Sequence, residues 1–453
     1  MACPNRSPTR SSHHWPAAAV VLVAAWILMG WLGDLRAHPV EMLCAYLLAS
    51  LAWGIACRAV LNGGQGPSTR WIVVVAMACR LAALPGEPTD DMARYRWEGL
   101  VQLAGHDPYR EAPNAPALAP LAAQFSDHQA INHPDWPAIY PPGMELWQRG
   151  VAALSPTALA FKLSFLGAEA LLFAALLAWL KGRGLPANRL VLFAWCPLSV
   201  YATAFEGHHD VIAATALVLG IVALEARRPS AAAMALCAAV LTKGFAVAAL
   251  PAFALARRPS PSASPSAQSA VISPRSWLAG LALAAVITLP FLGQGGPLPS
   301  VLRFGSELHY NDSGHALLAS LFGDGVSRPL AAAAWILGAF WVLRDSPADT
   351  ARRVALLLGG LLLVLPTMHP WYLMTLLPLL TVFPWWGWLA LTASVSLTWL
   401  PHLEIANTGQ WVEWHGLKLP EYAPLFAWLA WVSWGSFLRT QRPPPSEDTA
   451  FRP

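Results

Sequence analysis

The chain is short of charge: only 12% of its 453 residues are Asp, Glu, Lys or Arg, against 56% hydrophobic. That composition, with a mean hydropathy of +0.46, excludes an ordinary soluble domain. Its net charge of +4 is small and its basic residues are scattered, so a nucleic-acid partner is not expected. Cysteine is scarce as well. The six copies (Cys3, Cys44, Cys57, Cys79, Cys196, Cys237) show neither CxxC nor Cys/His metal spacing, and five lie in or beside apolar runs. No disulfide is expected. Phosphate-cradling glycine loops and internal repeats are lacking too.

What the chain has is apolar runs close to the roughly 20 residues that cross about 30 Å of hydrocarbon as helix. The run 16–32 follows Arg6 and Arg10 but is too long for a signal core, and reads as an uncleaved first helix. Further spans are expected at 39–60, 71–85, 158–180, 189–205, 209–226, 276–293, 328–343, 352–367, 370–383, 385–400 and 422–438. Two shorter apolar pieces between 230 and 256, separated by Lys243, read as a hairpin of short helices. The expected fold is therefore all-α: one polytopic integral membrane domain over 1–453, with about 12–14 transmembrane helices. The 23 tryptophans suit rings that sit at membrane–water interfaces.

Orientation follows from the positive charges. With the N-terminus cytoplasmic, 18 of the 29 Lys and Arg fall on inner segments, including the connectors 181–189, 227–229 and 344–353. The Ser/Pro-rich stretch 257–276 reads as a flexible cytoplasmic linker. The segments 86–140, 206–210, 294–315, 367–371 and 401–420 then face outward. That numbering puts the longest extramembrane loop, 86–140, outside, carrying short helices.

The scarce ionisable residues concentrate in that loop, at Thr89-Asp90-Asp91-Met92-Ala93-Arg94-Tyr95-Arg96-Trp97-Glu98-Gly99 and Gly105-His106-Asp107-Pro108-Tyr109-Arg110. In a membrane protein such a concentration is where chemistry is suspected first. Thr89 is placed to cap a helix whose first turn holds both acids. Asp90 then lies one turn below Arg94, Asp91 below Tyr95, and Arg94 below Glu98. Adjacent acids point about 100° apart, so one can take a proton while the other is held by a cation. Spacing alone equally allows both merely to favour the helix dipole.

Other polar clusters map to the same outer face. They are Asn132-His133-Pro134-Asp135, Ile139-Tyr140-Pro141-Pro142, Phe205-Glu206-Gly207-His208-His209-Asp210, His309 to His315, and His369-Pro370-Trp371-Tyr372. Taken singly, each has a bland explanation as a snorkelling side chain or a polar turn. Their convergence on one face is the stronger signal.

Together these residues resemble the polytopic glycosyltransferases of the GT-C class. More narrowly they resemble bacterial polyprenyl-phosphate-mannose-dependent mannosyltransferases of glycosyltransferase family 87 and their relatives. The resemblance rests on Asp90-Asp91…Arg94-Tyr95…Trp97-Glu98-Gly99…Gly105…Pro108-Tyr109, then Tyr140-Pro141-Pro142, Gly207-His208-x-Asp210, Thr242-Lys243 and His369-Pro370-Trp371-Tyr372, in that order from about 85 to 385. Glu206 and His209 depart from the usual pattern, which more often has an amide before Gly and an apolar residue between His and Asp.

The resemblance implies inverting transfer of a sugar, foremost mannose, from a polyprenyl-phosphate donor to a glycan, lipid or other acceptor hydroxyl. The chain would sit in a bacterial inner membrane with its site facing the periplasm. Such a reaction needs a base for the acceptor hydroxyl and cations for the departing phosphate. The base is expected to be Asp90 or Asp91, with Asp90 slightly ahead. Candidates for the donor phosphate are Lys243, Arg94, Arg96, Arg303 and His369. Tyr95, Glu98, Tyr109, Tyr140, His208, Asp210, Trp371 and Tyr372 are candidates for contacting substrate. No cofactor is expected: Asp90, Asp91, Asp210 and the outer histidines could hold a divalent ion, but no ligand spacing demands one. A transporter or flippase of lipid-linked precursors is the alternative from another class, since it too is polytopic with polar helix breaks.

Overall fold

A computed structural model describes residues 14–63, 66–256, 271–293, 295–345, 349–408 and 411–440. Most of the linker at 257–276, and Arg6, Arg10, Arg257, Arg258, Arg442 and Arg452 from the charge pattern, lie outside the described residues. Among the described residues the chain is helical without strands; its one β-type pairing is an isolated bridge between Tyr310 and Thr367.

Five described helices are long and apolar enough to cross a membrane: Trp15–Leu32, Pro39–Leu61, Ala158–Gly182, Pro274–Phe291 and Asp324–Asp345. The last two are mostly unburied and carry exposed Leu278, Leu281, Val286, Leu289, Ile336 and Leu337, as lipid-facing surfaces require. This is an all-α polytopic membrane protein.

Several expected spans are not single helices. The run 189–205 is cut into short pieces by Pro197 and ends in a π turn at Tyr201–Phe205. The run 370–383 is a pair of 3₁₀ segments around Pro370 and Pro378, and 385–400 changes from Trp386–Ser394 to a tighter turn at Val395–Trp399. Uniform hydropathy hid these breaks, because periodicity does not register where backbone hydrogen bonds are interrupted. Between 230 and 256 the sequence expectation of a break at Lys243 agrees with the structure: Pro229–Thr242 ends there and Lys243 is extended.

A broken helix at membrane depth frees backbone groups that need partners. Here side chains supply them. Trp53 Nε1 donates to the Val191 carbonyl at 3.1 Å, and Arg80 donates to the Ala194 carbonyl at 2.8 Å. Arg80 also forms a two-pronged pair with Glu169 at 2.7 and 2.6 Å and reaches the Ser199 hydroxyl at 2.9 Å. Both ions are fully buried, so each neutralises what would otherwise be an uncompensated charge in hydrocarbon. The pair clamps the broken segment that delivers Glu206 and His208 towards the 86–140 loop.

The 86–140 loop folds over this end of the helices with a small apolar cluster of its own. Its main helix, Asp90–Leu103, packs on Pro142–Leu154 through Gly99, where an added Cβ would meet the Gln148 carbonyl at 2.7 Å. Trp97, Val101, Leu118, Phe125 and Ile131 form a separate apolar cluster beneath the loop surface. Thr89 occupies the helix's N-cap position, yet its hydroxyl makes no cap bond; Asp90 Oδ1 accepts from the Asp91 amide at 3.0 Å instead.

Candidate functional site

The loop helix Asp90–Leu103 turns Asp91 inward, towards Asn132 and His208. Its Oδ1 accepts from Asn132 Nδ2 at 2.7 Å, and its Oδ2 lies 3.4 Å from the Tyr95 hydroxyl and 3.5 Å from His208 Nδ1. The carboxylate stays about one-fifth exposed, so it is held yet reachable. Asp90, one position earlier, is exposed at the first turn of the helix.

His208 is brought to Asp91 by the π turn and the glycine after it. Gly207 has φ +79°, a conformation that a side chain would strain, and a Cβ there would meet Met92 Cε at 2.5 Å. The reversal lets His208 Nε2 reach Glu206 Oε2 at 2.8 Å, while Tyr201 donates its hydroxyl to Glu206 Oε1. His208 is thus bracketed by two carboxylates.

Protonation follows from this bracketing. Burial alone would lower His208, but Asp91 and Glu206 push it up to about 9, so it is an imidazolium at neutral pH. Burial would raise Asp91; His208 and Asn132 override it and hold the carboxyl well below the usual carboxylate range. Asp90 reaches solvent at the edge of the same protein wall, and the partial desolvation there, with the charge of Asp91, pushes its carboxyl up to about 6. Acidity alone would therefore suit Asp90 to a base near neutral pH, whereas hydrogen bonding fixes Asp91 in place.

An aromatic ladder leads away from His208. Its ring stacks on Trp371 at 3.5 Å between centroids, Trp371 on His369 at 4.5 Å, and His369 on Tyr310 at 4.6 Å. Tyr372 meets His369 edge-on at 5.3 Å, and Lys243 Nζ lies 4.6 Å above the Tyr372 ring. Lys243 also pairs with Asp210 Oδ1 at 3.0 Å. On the other flank, Tyr95 and Tyr140 both pack edge-on against His209, at 5.1 and 4.9 Å.

Asp91, Tyr95, Tyr140, His208, Asp210, Lys243, His369, Trp371 and Tyr372 therefore form one connected cluster, although they come from five separate stretches of sequence. His369 is placed there as a neutral ring: burial holds it down at about 3, so it can bond a phosphate but not neutralise one.

The remaining candidates do something else. Arg94 spends its donors inside the loop, on Glu98 Oε1 at 2.8 Å and on the carbonyls of Asn132, His133, Trp136 and Pro137. Arg96 turns to the Pro156 carbonyl at 2.7 Å and to Asp127. Neither is free for a phosphate, because the geometry that makes the loop rigid consumes them. Glu98 is buried against Arg94 and beside Glu145, whose Oε2 accepts from Gln102 at 2.8 Å. Tyr109 donates to the Tyr140 carbonyl at 2.8 Å and packs on Phe291. Arg303 remains half-exposed over the Trp136 ring at 4.4 Å, paired with Glu307.

Sequence reasoning passed over Asn132, Glu206 and Tyr310 as working parts. Only their place in outer polar clusters hinted at them.

Among the described residues one group has the composition of a cation site: His309, Asp312 and His315. Its ligand atoms are already engaged. Lys418 Nζ lies 2.6 Å from Asp312 Oδ1, His315 Nδ1 2.7 Å from Asp312 Oδ2, and Arg328 Nη2 2.8 Å from His309 Nε2. A divalent ion would meet two cations there, so the cluster reads as an ionic fastening of the loop at 308–315.

The sequence profile of the MptA/B family, described as alpha-(1->6)-mannopyranosyltransferase, N-terminal domain, matches residues 13–258. Comparison with curated proteins and with solved structures finds no match to either. The family match spans more than half of the chain and begins well upstream of the first acidic motif. The chain belongs to this family of mannosyltransferases, and membership of an enzyme family decides against the transporter reading.

Proposed function

We propose that this membrane mannosyltransferase takes mannose from a polyprenyl-phosphate donor and transfers it, with inversion, to a hydroxyl of a glycan or lipid acceptor. The single observation that supports this best is the fixed, partly exposed Asp91 carboxylate, bound by Asn132 and His208 in the same cluster as Lys243. Asp91 takes the proton from the acceptor hydroxyl as its oxygen attacks the anomeric carbon. The bond from that carbon to the phosphate oxygen breaks, and the phosphate leaves with the electron pair. Inversion of a β-linked mannosyl phosphate gives an α linkage, the one in the family's description.

Each neighbour has a chemical part in this scheme. Lys243 offers an ammonium to the departing phosphate, held in place by the faces of Tyr372 and Phe245 and by Asp210. The His208 imidazolium keeps Asp91 ionised and adds positive charge near the developing phosphate. Exposed apolar helix faces such as Leu278, Leu281 and Val286 suit a polyprenyl tail in the bilayer. We place the site on the periplasmic side of a bacterial inner membrane, because that is where the positive-inside pattern puts the loop.

The deciding experiment is incubation of the membrane-embedded chain with a panel of labelled polyprenyl-phosphate sugars and a mannose-containing acceptor. Product from the mannosyl donor is expected; absence of product from every lipid donor refutes the donor assignment.

A further inference from the structure

The helix Pro39–Leu61 runs from the 86–140 loop to the opposite end of the fold. It starts beside that loop, where Arg36 pairs with Glu87 at 3.3 Å and the Glu87 amide donates to the Gly33 carbonyl at 2.8 Å. At 1.5 Å per residue, Arg58 lies about 28 Å further along the helix than Pro39. That is close to the roughly 30 Å of hydrocarbon in a bilayer, so Arg58 stands at the headgroup level of the leaflet opposite the Asp91 site.

A groove of about 680 Å³ follows this end of the helix, lined by Leu51, Gly54, Ile55, Arg58, Asn62 and Trp386. Its character changes along its length. Leu51 and Ile55, one turn apart, are 65% and 42% exposed. Gly54 beside them leaves room, since a Cβ there would meet nothing within 4 Å. Arg58 and Asn62 follow at the polar end, and the exposed Trp386 indole has the place such rings take at a membrane–water interface.

That end is positive and unmatched. No acid lines the groove. Neither the Arg58 guanidinium nor the Asn62 amide has an ion pair or hydrogen bond among the described residues. The segment Ala187–Leu190 packs on the same helix, and its Arg189 meets only the Val382 carbonyl, at 3.3 Å. Glu225 and Asp349, at this end of the fold, are taken by Arg183 at 2.6 and 2.8 Å. The helix Trp386–Ser394 also begins here without a side-chain cap, which adds the positive end of its dipole.

Whatever fills the groove must therefore be apolar along one part and anionic at one end. An apolar partner helix would strand the Arg58 charge, and inorganic phosphate would make no use of Leu51 and Ile55. We propose that the groove binds one anionic glycerophospholipid of this leaflet. Its acyl chains lie along Leu51, Gly54 and Ile55, and its phosphate accepts from the Arg58 guanidinium and the Asn62 amide beside Trp386. The proposal does not rest on the mannosyltransferase reading, because the groove lies a bilayer's thickness from Asp91.

The test is native mass spectrometry of the purified full chain in detergent, titrated with phosphatidylglycerol. One molecule should be retained ahead of the rest, and its binding should weaken about tenfold in Arg58→Gln. Gly54→Leu, whose side chain enters the groove, should weaken it as much. Arg58 leaves no partner stranded and Gly54 has open space around it, so both variants fold, as a thermal transition in detergent will check. Phosphatidylglycerol should raise that transition in the native chain and in neither variant. Phosphatidylcholine should bind several-fold more weakly, and neither diacylglycerol nor inorganic phosphate should displace the bound lipid. Retention of phosphatidylglycerol that is unchanged in either folded variant overturns the proposal. Diacylglycerol held as tightly as phosphatidylglycerol does so too, by making the groove a merely apolar surface. Displacement by inorganic phosphate would make it an ion site and equally refute the lipid.

Discussion

His208 lies face to face with Trp371, ring centroids 3.5 Å apart and planes 14° from parallel, while its two nitrogens address different carboxylates. Nε2 is 2.8 Å from Glu206 and Nδ1 is 3.5 Å from Asp91. An imidazolium so placed is stabilised by charge on both sides and by the indole face. It couples the base candidate to the ladder and gives the site a basic limit.

That limit is measurable. His208 is pushed up to about 9, so its charge is present at neutral pH and is lost as pH rises through that value. The wild-type kcat/KM should fall above about pH 9, and the fall should vanish in His208→Gln, at a cost of about ten- to a hundredfold in rate. The stability contribution has the same sign. It is complete below the unfolded histidine value of about 6.5 and disappears as pH rises through about 9. An identical basic limb in His208→Gln would remove His208 from the account.

Lys243 should matter for donor binding rather than for folding. Lys243→Ala is expected to raise the lipid-donor KM about tenfold or more, with little change in the acceptor KM. The variant strands the buried Asp210, so Lys243→Ala/Asp210→Asn should be assayed beside it. Wild-type donor KM in a folded double variant would make the lysine structural.

Arg94 shows where a sequence candidate becomes a scaffold. Four of its contacts tie the loop helix to the carbonyls of Asn132, His133, Trp136 and Pro137, in the segment that also brings Asn132 to Asp91. Removing one partner of a buried ion pair costs about 3–5 kcal/mol, so Arg94→Ala should open the loop to protease. Arg94→Lys should rescue little, because an ammonium cannot reproduce the planar fork. A loop that stays protease-resistant in Arg94→Ala while donor KM rises would restore Arg94 as a phosphate ligand.

The fold class was legible because apolar runs and sparse charge leave little else. The helix Asp90–Leu103, its Arg94–Glu98 pair and the break at Lys243 were also readable, since each depends on local spacing. The broken spans were not, because Pro197, Pro370 and Pro378 stop helices without lowering hydropathy. Nor was the fate of the arginines legible. Whether Arg94 meets a phosphate or four loop carbonyls depends on residues 38 to 43 positions away, a separation on which local spacing is silent. Gly207 gave a signal: glycine between Glu206 and His208 is what a reversal bringing both onto one atom cluster requires.

The order of the two acids also changed in rank. Sequence slightly favoured Asp90, whereas Asn132 and His208 fix Asp91. The most direct measurement is single-turnover transfer from labelled polyprenyl-phosphate mannose by Asp90→Asn and Asp91→Asn, each checked for folding. The account predicts a loss of about a hundredfold or more in Asp91→Asn and only a few-fold change in Asp90→Asn. Near-normal transfer by Asp91→Asn, with or without loss in Asp90→Asn, would contradict it.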